Sequence, residues 1–296
     1  MIRLVLIITL LVLVSCQQGS GPDRNGGITV SHIPVTATQG DSLFFEEVMR
    51  KVLGDLAPAA EINQRITDAG LAFLGTPYVA STLEVEGDEH LVMNLLGVDC
   101  TTFVEYVTAM ALCSARERTG FDDFVLQLAE LRYRGGIIDG YPSRLHYFTE
   151  WLKDNEKQGY IEIISNEIGN RIMDTGVGFM TANPHLYRQL EEEPAYVEAM
   201  AEIEKEISAF GMSYISKDMI DEMATLIKDG DIIAFVSSIG GLDVSHTGLA
   251  VFSGERLHLL HASSRSQEVE ITSAPLSEYL ADSRTIPGII VARVMP

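Results

Sequence analysis

Asp99-Cys100-Thr101-Thr102-Phe103-Val104-Glu105-Tyr106-Val107-Thr108-Ala109-Met110-Ala111-Leu112-Cys113-Ser114-Ala115 is the stretch that decides how this chain folds. From Thr101 to Ala115 no Gly or Pro interrupts it, and Phe103, Val107, Met110 and Ser114 fall on one stripe. The spacing predicts a helix. Asp99 stands where an N-cap belongs and sets Cys100 at the first turn. There the helix dipole and the free backbone N–H groups favour a thiolate. Cys113 lies roughly 20 Å further along the same axis, well beyond the reach of a disulfide, and reads as a small buried hydrophobe.

A nucleophilic thiol needs a base, and the chain offers seven histidines: His32, His90, His146, His185, His246, His258 and His261. Ser253-Gly254-Glu255-Arg256 reads as a hairpin turn, which places His246 opposite about Ser263 on the next strand. Alternation then puts His246 and His261 on one face as diagonal neighbours, with His258 on the other. Two imidazoles on one face suit a general base and the partner that orients it. They equally suit two polar strand residues facing solvent, and spacing alone does not choose.

Further out, Ser42 to Leu56 and Ala60 to Leu74 read as helices, the second stopped by Gly75-Thr76-Pro77. His185 to Phe210 carries Leu186, Leu190, Val197, Met200 and Ile203 at helical intervals, its many Glu forming a solvated face. From Gly230 the pattern becomes short strands: Asp231 to Val236, His246 to Phe252, Arg256 to Ala262, Glu268 to Thr272 and Gly288 to Val294, with a helix at Pro275 to Ala281. Helices followed by a mostly antiparallel sheet predict an α+β fold, with the Cys helix packed on the sheet. With 296 residues, 46% of them hydrophobic, the chain can bury a large core, and a formal net charge of -21 argues against nucleic acid as partner.

The N-terminus has its own logic. Leu4 to Val14 is apolar apart from Thr9 and too short to span a bilayer, which reads as a signal peptide over residues 1–15. Leu13-Val14-Ser15-Cys16 resembles the lipobox of bacterial lipoproteins, which implies a lipid on Cys16. Residues 16–40 then form a flexible tether and 41–296 the folded domain. Gln17 after the Cys lacks the familiar Asp retention signal, which favours the outer membrane, facing the periplasm.

Leu74-Gly75-Thr76-Pro77-Tyr78, Asp99 to Glu105, His246-Thr247-Gly248-Leu249 and His261-Ala262-Ser263-Ser264 resemble, in order and spacing, the NlpC-type papain-like cell-wall cysteine hydrolases. Gly140 to Trp151 (Gly-Tyr-Pro-Ser-Arg-Leu-His-Tyr-Phe-Thr-Glu-Trp) brings the resemblance nearest to the N-acetylmuramoyl-L-alanine amidase-like family. The resemblance covers most of Ala60 to Val294. It implies a papain-like core with helical additions, and the roles of nucleophile for Cys100, base for His246 and orienting partner for His261. The implied substrate is peptidoglycan or muropeptides, cut between the muramoyl lactyl group and L-alanine, by a monomer without cofactor.

The endopeptidase signature of the wider group is Asp-Cys-Ser-Gly, and this chain has Asp99-Cys100-Thr101-Thr102. Thr102 would add bulk beside the nucleophile, which weakens a stem-peptide endopeptidase cutting after D-glutamate. A murein-binding lipoprotein without catalysis would lack a triad member, and none is missing. A zinc enzyme is weaker still, because His258 and His261 face opposite ways and no Cys-x-x-Cys exists. Expected substrate contacts are Tyr78, Asp99, Thr101, Arg144 and Tyr147. Asp99 serves equally as cap or substrate group, Tyr78 as core residue or as a hydroxyl beside the thiol, and Tyr147 with Trp151 as core or as a ring surface. Arg132, Arg134 and Arg144 form a basic cluster, with Arg144 the best placed for a stem carboxylate. His146 reads as a supporting residue, and His32, His90 and His185 carry no assignment.

Overall fold

Runs such as Ile232-Ile233-Ala234-Phe235-Val236 are apolar at every position, the pattern of a strand buried on both faces. The computed structural model, which describes residues 28–30, 33–54, 61–173 and 176–296, shows such a sheet. Cys16, the signal peptide and the first part of the tether lie outside the described residues.

Strands β1 (Ile28–Val30) and β2 (Ile33–Thr36) pair antiparallel, and β2 runs parallel to β3 (Leu91–Val92). The larger sheet contains β4 (Ile161–Glu162), β5 (Arg171–Ile172), β6 (Ser213–Ser216), β7 (Ile232–Val236), β8 (Val244–Ser253), β9 (Arg256–Ser263), β10 (Glu268–Ile271) and β11 (Gly288–Val294). Its order is β10-β9-β8-β7-β11-β6-β5, with β4 on β11, and every pairing is antiparallel. The helices are α1 (Gln39–Glu47), α2 (Ile62–Leu71), α3 (Cys100–Ala115), α4 (Phe121–Arg132), α5 (Phe148–Lys157), α6 (Ser165–Ile168), α7 (Phe179–Ala182), α8 (Arg188–Glu192), α9 (Pro194–Ile207), α10 (Ile220–Met223) and α11 (Leu276–Ala281).

One face of the sheet, with Ile232, Ala234, Leu249, Val251 and Leu260, shares a core with Ile66 of α2, Phe103 and Val107 of α3 and Leu128 of α4. The other, with Ile233, Phe235, Leu257, Leu259 and Val291, packs on Ile220 of α10 and Leu276 and Leu280 of α11. Phe103 is fully buried and meets the Phe73 ring edge-on at 5.7 Å, so its truncation to Ala would cost about 3–5 kcal/mol. The turn that stops α2 needs Gly75 in the left-handed region, φ 79°. The following residues then run along β10: the Gly75 N–H donates to Val269 O at 2.9 Å and the Val269 N–H to Thr76 O at 2.8 Å.

Three sequence expectations change. Residues 28–30 and 33–36 are not tether, since they form β1 and β2, and Asp41 is buried, closing a capping box with Thr38 and accepting the Leu95 N–H at 2.6 Å. The first helix accordingly starts at Gln39, and beyond Glu47 the chain winds into a π-helical turn, Val48–Leu53. His185 to Phe210 is not one helix: Tyr187 and Glu193 are extended, and Pro194, which cannot continue a helix, starts a new one at its first position. Around these short helices Tyr141, Tyr147, Met180, Leu190, Met200 and Ile207 form a small core of their own. Among the described residues no helix is long and apolar enough to cross a membrane.

Candidate active site

Asp99 accepts the Thr102 N–H at 2.8 Å, and Thr102 Oγ1 accepts the Asp99 N–H at 2.9 Å, a reciprocal cap that fixes the start of α3. Cys100 is therefore the first helical residue, with the N–H groups of Cys100 and Thr101 lacking intrahelical acceptors. The Thr247 hydroxyl of β8 donates to Cys100 O at 2.8 Å and pins the helix start to the sheet.

The next residue along β8 is His246, and its aim depends on an irregularity. Phe235 pairs with His246 but Val236 pairs with Val244, leaving Ser245 as an extra residue, a β-bulge beside the imidazole. Leu249 pairs with Leu260, the register expected from the Gly254-Glu255 turn. A Cβ on Gly248 would sit 2.9 Å from the His261 Cβ, so only glycine lets the strands approach closely enough there. Across that gap His246 Nε2 lies 2.6 Å from His261 Nδ1, the rings edge to face. His258 turns the other way and hydrogen-bonds through Nδ1 to Thr272 O at 2.7 Å.

Cys100, Thr101, His246 and Thr247 line one cavity of about 200 Å³, together with Tyr141, His146, Tyr147, Phe148, Phe179 and Tyr187. Glu84 and Tyr187 also border a neighbouring hollow of about 420 Å³ that holds Asp99, Arg144 and Arg188. A larger hollow of about 670 Å³, lined by Glu61, Lys228, Asp229 and Phe252, sits at the far end of β8 and contains neither thiol nor imidazole, so size does not mark the site.

The electrostatics depart from the sequence expectation. Burial, then the Asp99 carboxylate, push the Cys100 thiol up, while the Thr247 N–H and the Thr101 and Thr247 hydroxyls pull the other way. The thiolate is not favoured in the resting protein, because withdrawal from water outweighs these donors. Burial and the neighbouring His261 hold His246 at about 3, and burial holds His261 at about 4. Thiol and both imidazoles are thus neutral near pH 7. Burial also raises Tyr78, with help from Cys100 and Asp99, so its phenol stays a donor beside the thiol. Cys113, wholly buried, is pushed up to about 12 by desolvation.

The basic cluster is engaged within the protein. Arg132 pairs with Glu105 at 2.7 Å, Arg134 Nε with Glu150 at 2.8 Å, and Arg144 with Glu84 at 3.0 Å and Glu89 at 3.3 Å. Each guanidinium is already matched by a protein carboxylate, and Arg144, 5% exposed, also lies over the Tyr141 ring, so it offers no free fork to a stem carboxylate. Tyr147 is likewise committed: its hydroxyl donates to Glu204 at 2.6 Å and accepts the Met180 N–H at 2.9 Å, and only its ring faces the cavity lining. Trp151 is wholly buried, stacked on Phe148 at 5.0 Å. Thr102 is buried in the cap and adds no bulk to the cleft; Thr101 lines it instead.

One expected supporting residue reaches the cavity, and one further residue escaped sequence reasoning. His146 borders the same cavity, its Nε2 donating to Tyr141 O at 2.8 Å, and burial beside Arg144 holds it at about 3. Asp243, buried immediately before β8, accepts the Thr149 N–H and hydroxyl, each at 2.7 Å, and so ties α5 to the strand of His246. The cue was present in the Gly140 to Trp151 stretch, but its partner lies almost a hundred residues away.

The model of a family described as N-acetylmuramoyl-L-alanine amidase-like matches residues 68–288. Among solved structures, an N-acetylmuramoyl-L-alanine amidase from Bacteroides uniformis is 37% identical with a TM-score of 0.77, covering 80% of this chain and 100% of that one. A Bacteroides fragilis protein suggested to be a xylanase is 42% identical with a TM-score of 0.73, covering 77% of this chain and 99% of that one. A Legionella pneumophila protein, 21% identical with a TM-score of 0.65 over 87% of this chain and 95% of that one, shares the fold. No curated protein matches the chain. On the family match over most of its length, this chain belongs to the N-acetylmuramoyl-L-alanine amidase-like family.

Proposed function

We propose that this protein is a cysteine amidase with an NlpC-type papain-like core that cleaves the bond between the muramoyl lactyl group and L-alanine in peptidoglycan or muropeptides. The observation that carries the reading is a partly buried Cys100 at a helix start lining one cavity with His246, whose Nε2 is held 2.6 Å from His261. With Nε2 so engaged, Nδ1 of His246 is the nitrogen left to serve the thiol.

Because thiol and imidazole are both neutral, attack and proton transfer belong to one event. The Cys100 sulfur adds to the lactyl carbonyl as its proton passes to His246 Nδ1, and the oxyanion is held by the helix-start N–H groups. Collapse breaks the C–N bond, and His246 returns the proton to the departing amine of L-alanine. Water, deprotonated by His246, then splits the thioester to the lactyl carboxylic acid and free Cys100. Thr101 and Thr247 are the donors beside the thiol, Tyr78 lies close enough to feel its charge, Asp99 acts through the cap, and the Tyr141, Tyr147 and Tyr187 rings supply amphipathic faces for sugar or peptide.

The B. fragilis relative's suggested activity does not suit this cleft. Glycosidases commonly use two free carboxyl groups, whereas the cavity's carboxylates are Glu84, paired with Arg144, and Asp243, occupied by Thr149 and Val244. Cys16 carries the lipid in this proposal and anchors the enzyme to the outer membrane, facing the periplasm. Intact mass of membrane-extracted protein tests this, and a chain retaining Met1 would refute it. Incubation with defined muropeptides followed by mass spectrometry tests the bond: release of a peptide beginning with L-alanine supports the amidase. A cut after D-glutamate identifies the endopeptidase.

A further inference from the structure

A 2.6 Å contact between His246 Nε2 and His261 Nδ1 holds one proton, and two arrangements satisfy it. If His261 Nδ1 carries the proton, His246 must bear its own on Nδ1 and cannot accept one from the thiol. If His246 Nε2 carries it, Nδ1 is a bare lone pair and His246 is a base. The second arrangement requires His261 to hold its other proton on Nε2.

His261 Nε2 is buried and has no hydrogen-bond partner in the structure. The carboxylate of Glu270, the residue paired with His261 across β9 and β10, lies 3.9 Å from it. The geometry points to Glu270 as the positioning residue that keeps a proton on His261 Nε2 and so leaves His246 Nδ1 free to take the proton of Cys100. At 3.9 Å the carboxylate acts through its charge and not as a hydrogen-bond acceptor. The same charge steadies the imidazolium formed during attack. This inference rests on the Cys100, His246 and His261 roles proposed above.

The other groups near His261 do not compete for that role. Tyr279 of α11 meets its ring edge-on at 6.0 Å, and burial and Glu270 keep that phenol protonated. Arg265, in the turn between β9 and β10, acts on Tyr279 in the opposite sense, and Phe235 lies against His246 without charge. The Gly75 to Tyr78 segment pairs along β10 from outside, through Gly75, Thr76 and Tyr78, which holds the strand bearing Glu270 in register. Because the Glu270 side chain is 37% exposed, water screens its pull, and the effect is smaller than that of the base itself.

The test is the pH dependence of Cys100 alkylation by iodoacetamide in wild type, Glu270→Gln, Glu270→Lys and His246→Ala, with thermal stability measured alongside. No muropeptide is needed, so the result is independent of which bond the enzyme cuts. Glu270→Gln is expected to slow alkylation near pH 7 about threefold to tenfold, and Glu270→Lys, which inverts the charge, about thirtyfold or more. The melting temperature should stay within a few degrees, and Glu270→Asp should restore part of the rate. Wild-type alkylation rates for Glu270→Lys, while His246→Ala slows the reaction, would overturn this inference alone. An unchanged rate in His246→Ala would overturn the Cys and His roles and this inference with them.

Discussion

The two ends of α3 carry the same side chain in opposite circumstances. Cys100 sits partly buried in the first turn, against a cavity it shares with His246, whereas Cys113 is wholly buried in the last turn. Both thiols are pushed up by desolvation. Thiol acidity therefore does not distinguish the two ends; under the proposed roles, access and an imidazole in the same cavity do. The helix dipole adds its help at the N-terminus, but it is worth about 1 kcal/mol or less, too little to offset burial.

The largest test of this contrast is removal of His246, the base in the proposed mechanism. His246→Ala should lower turnover by about a thousandfold or more while Cys100 stays in place. A loss below tenfold would mean that position alone activates the thiol and that the two ends differ only in access.

The middle of the helix is next. Glu105 and Arg132, 2% and 1% exposed, form a buried pair, and Arg132 also donates to Val92 O at 2.6 Å. Glu105→Ala strands the guanidinium and should destabilise the protein by about 3–5 kcal/mol in denaturant unfolding. A change under about 1 kcal/mol would show that α3 is held by its apolar face alone. Arg144→Ala, which frees Glu89 at 8% exposure, should likewise reduce stability measurably by the same assay. An unaltered melting temperature with a raised KM would restore the substrate role that its two ion pairs argue against.

Acid separates the ends in another way. His146 and His246 near the thiol are held at about 3 and His261 at about 4, below the ordinary value of about 6.5. The unfolded chain then binds these protons more tightly, so their contribution to stability is present above about pH 6.5. It is lost as pH falls toward about 3. Melting temperatures should decline over that window, and a flat profile would contradict neutral, buried imidazoles. The smallest effect belongs to the inert end: Cys113→Ala should cost about 1 kcal/mol and leave turnover unchanged, since the change only opens a small space in the core.

What could be read from sequence follows the range of the forces involved. The start of α3, the β8 and β9 register and the shared face of His246 and His261 come from capping, turn chemistry and alternation, which act within a few residues. Gly288–Val294 was legible to the residue because Ile289 to Ala292 is an unbroken apolar run buried on both faces, with Arg293 as the strand's one charged position. The ion pairs of Arg144 were not legible because Glu84 and Glu89 lie more than fifty residues away, and nothing local reveals a long-range ion pair. The bulge at Ser245 has no sequence signal of its own, since it arises from pairing with Phe235 and Val236. Strands β1 and β2 were hidden because a three-residue and a four-residue strand are too short for a periodicity to stand out beside a Gly-rich leader.

The most direct measurement is brief iodoacetamide treatment near pH 7, with peptide mapping of both cysteines and turnover of a muropeptide followed in the same samples. Cys100 should be labelled at least about a hundredfold faster than Cys113, with activity falling in proportion to its modification. Labelling of Cys113 first, or full activity after Cys100 is modified, would contradict the account.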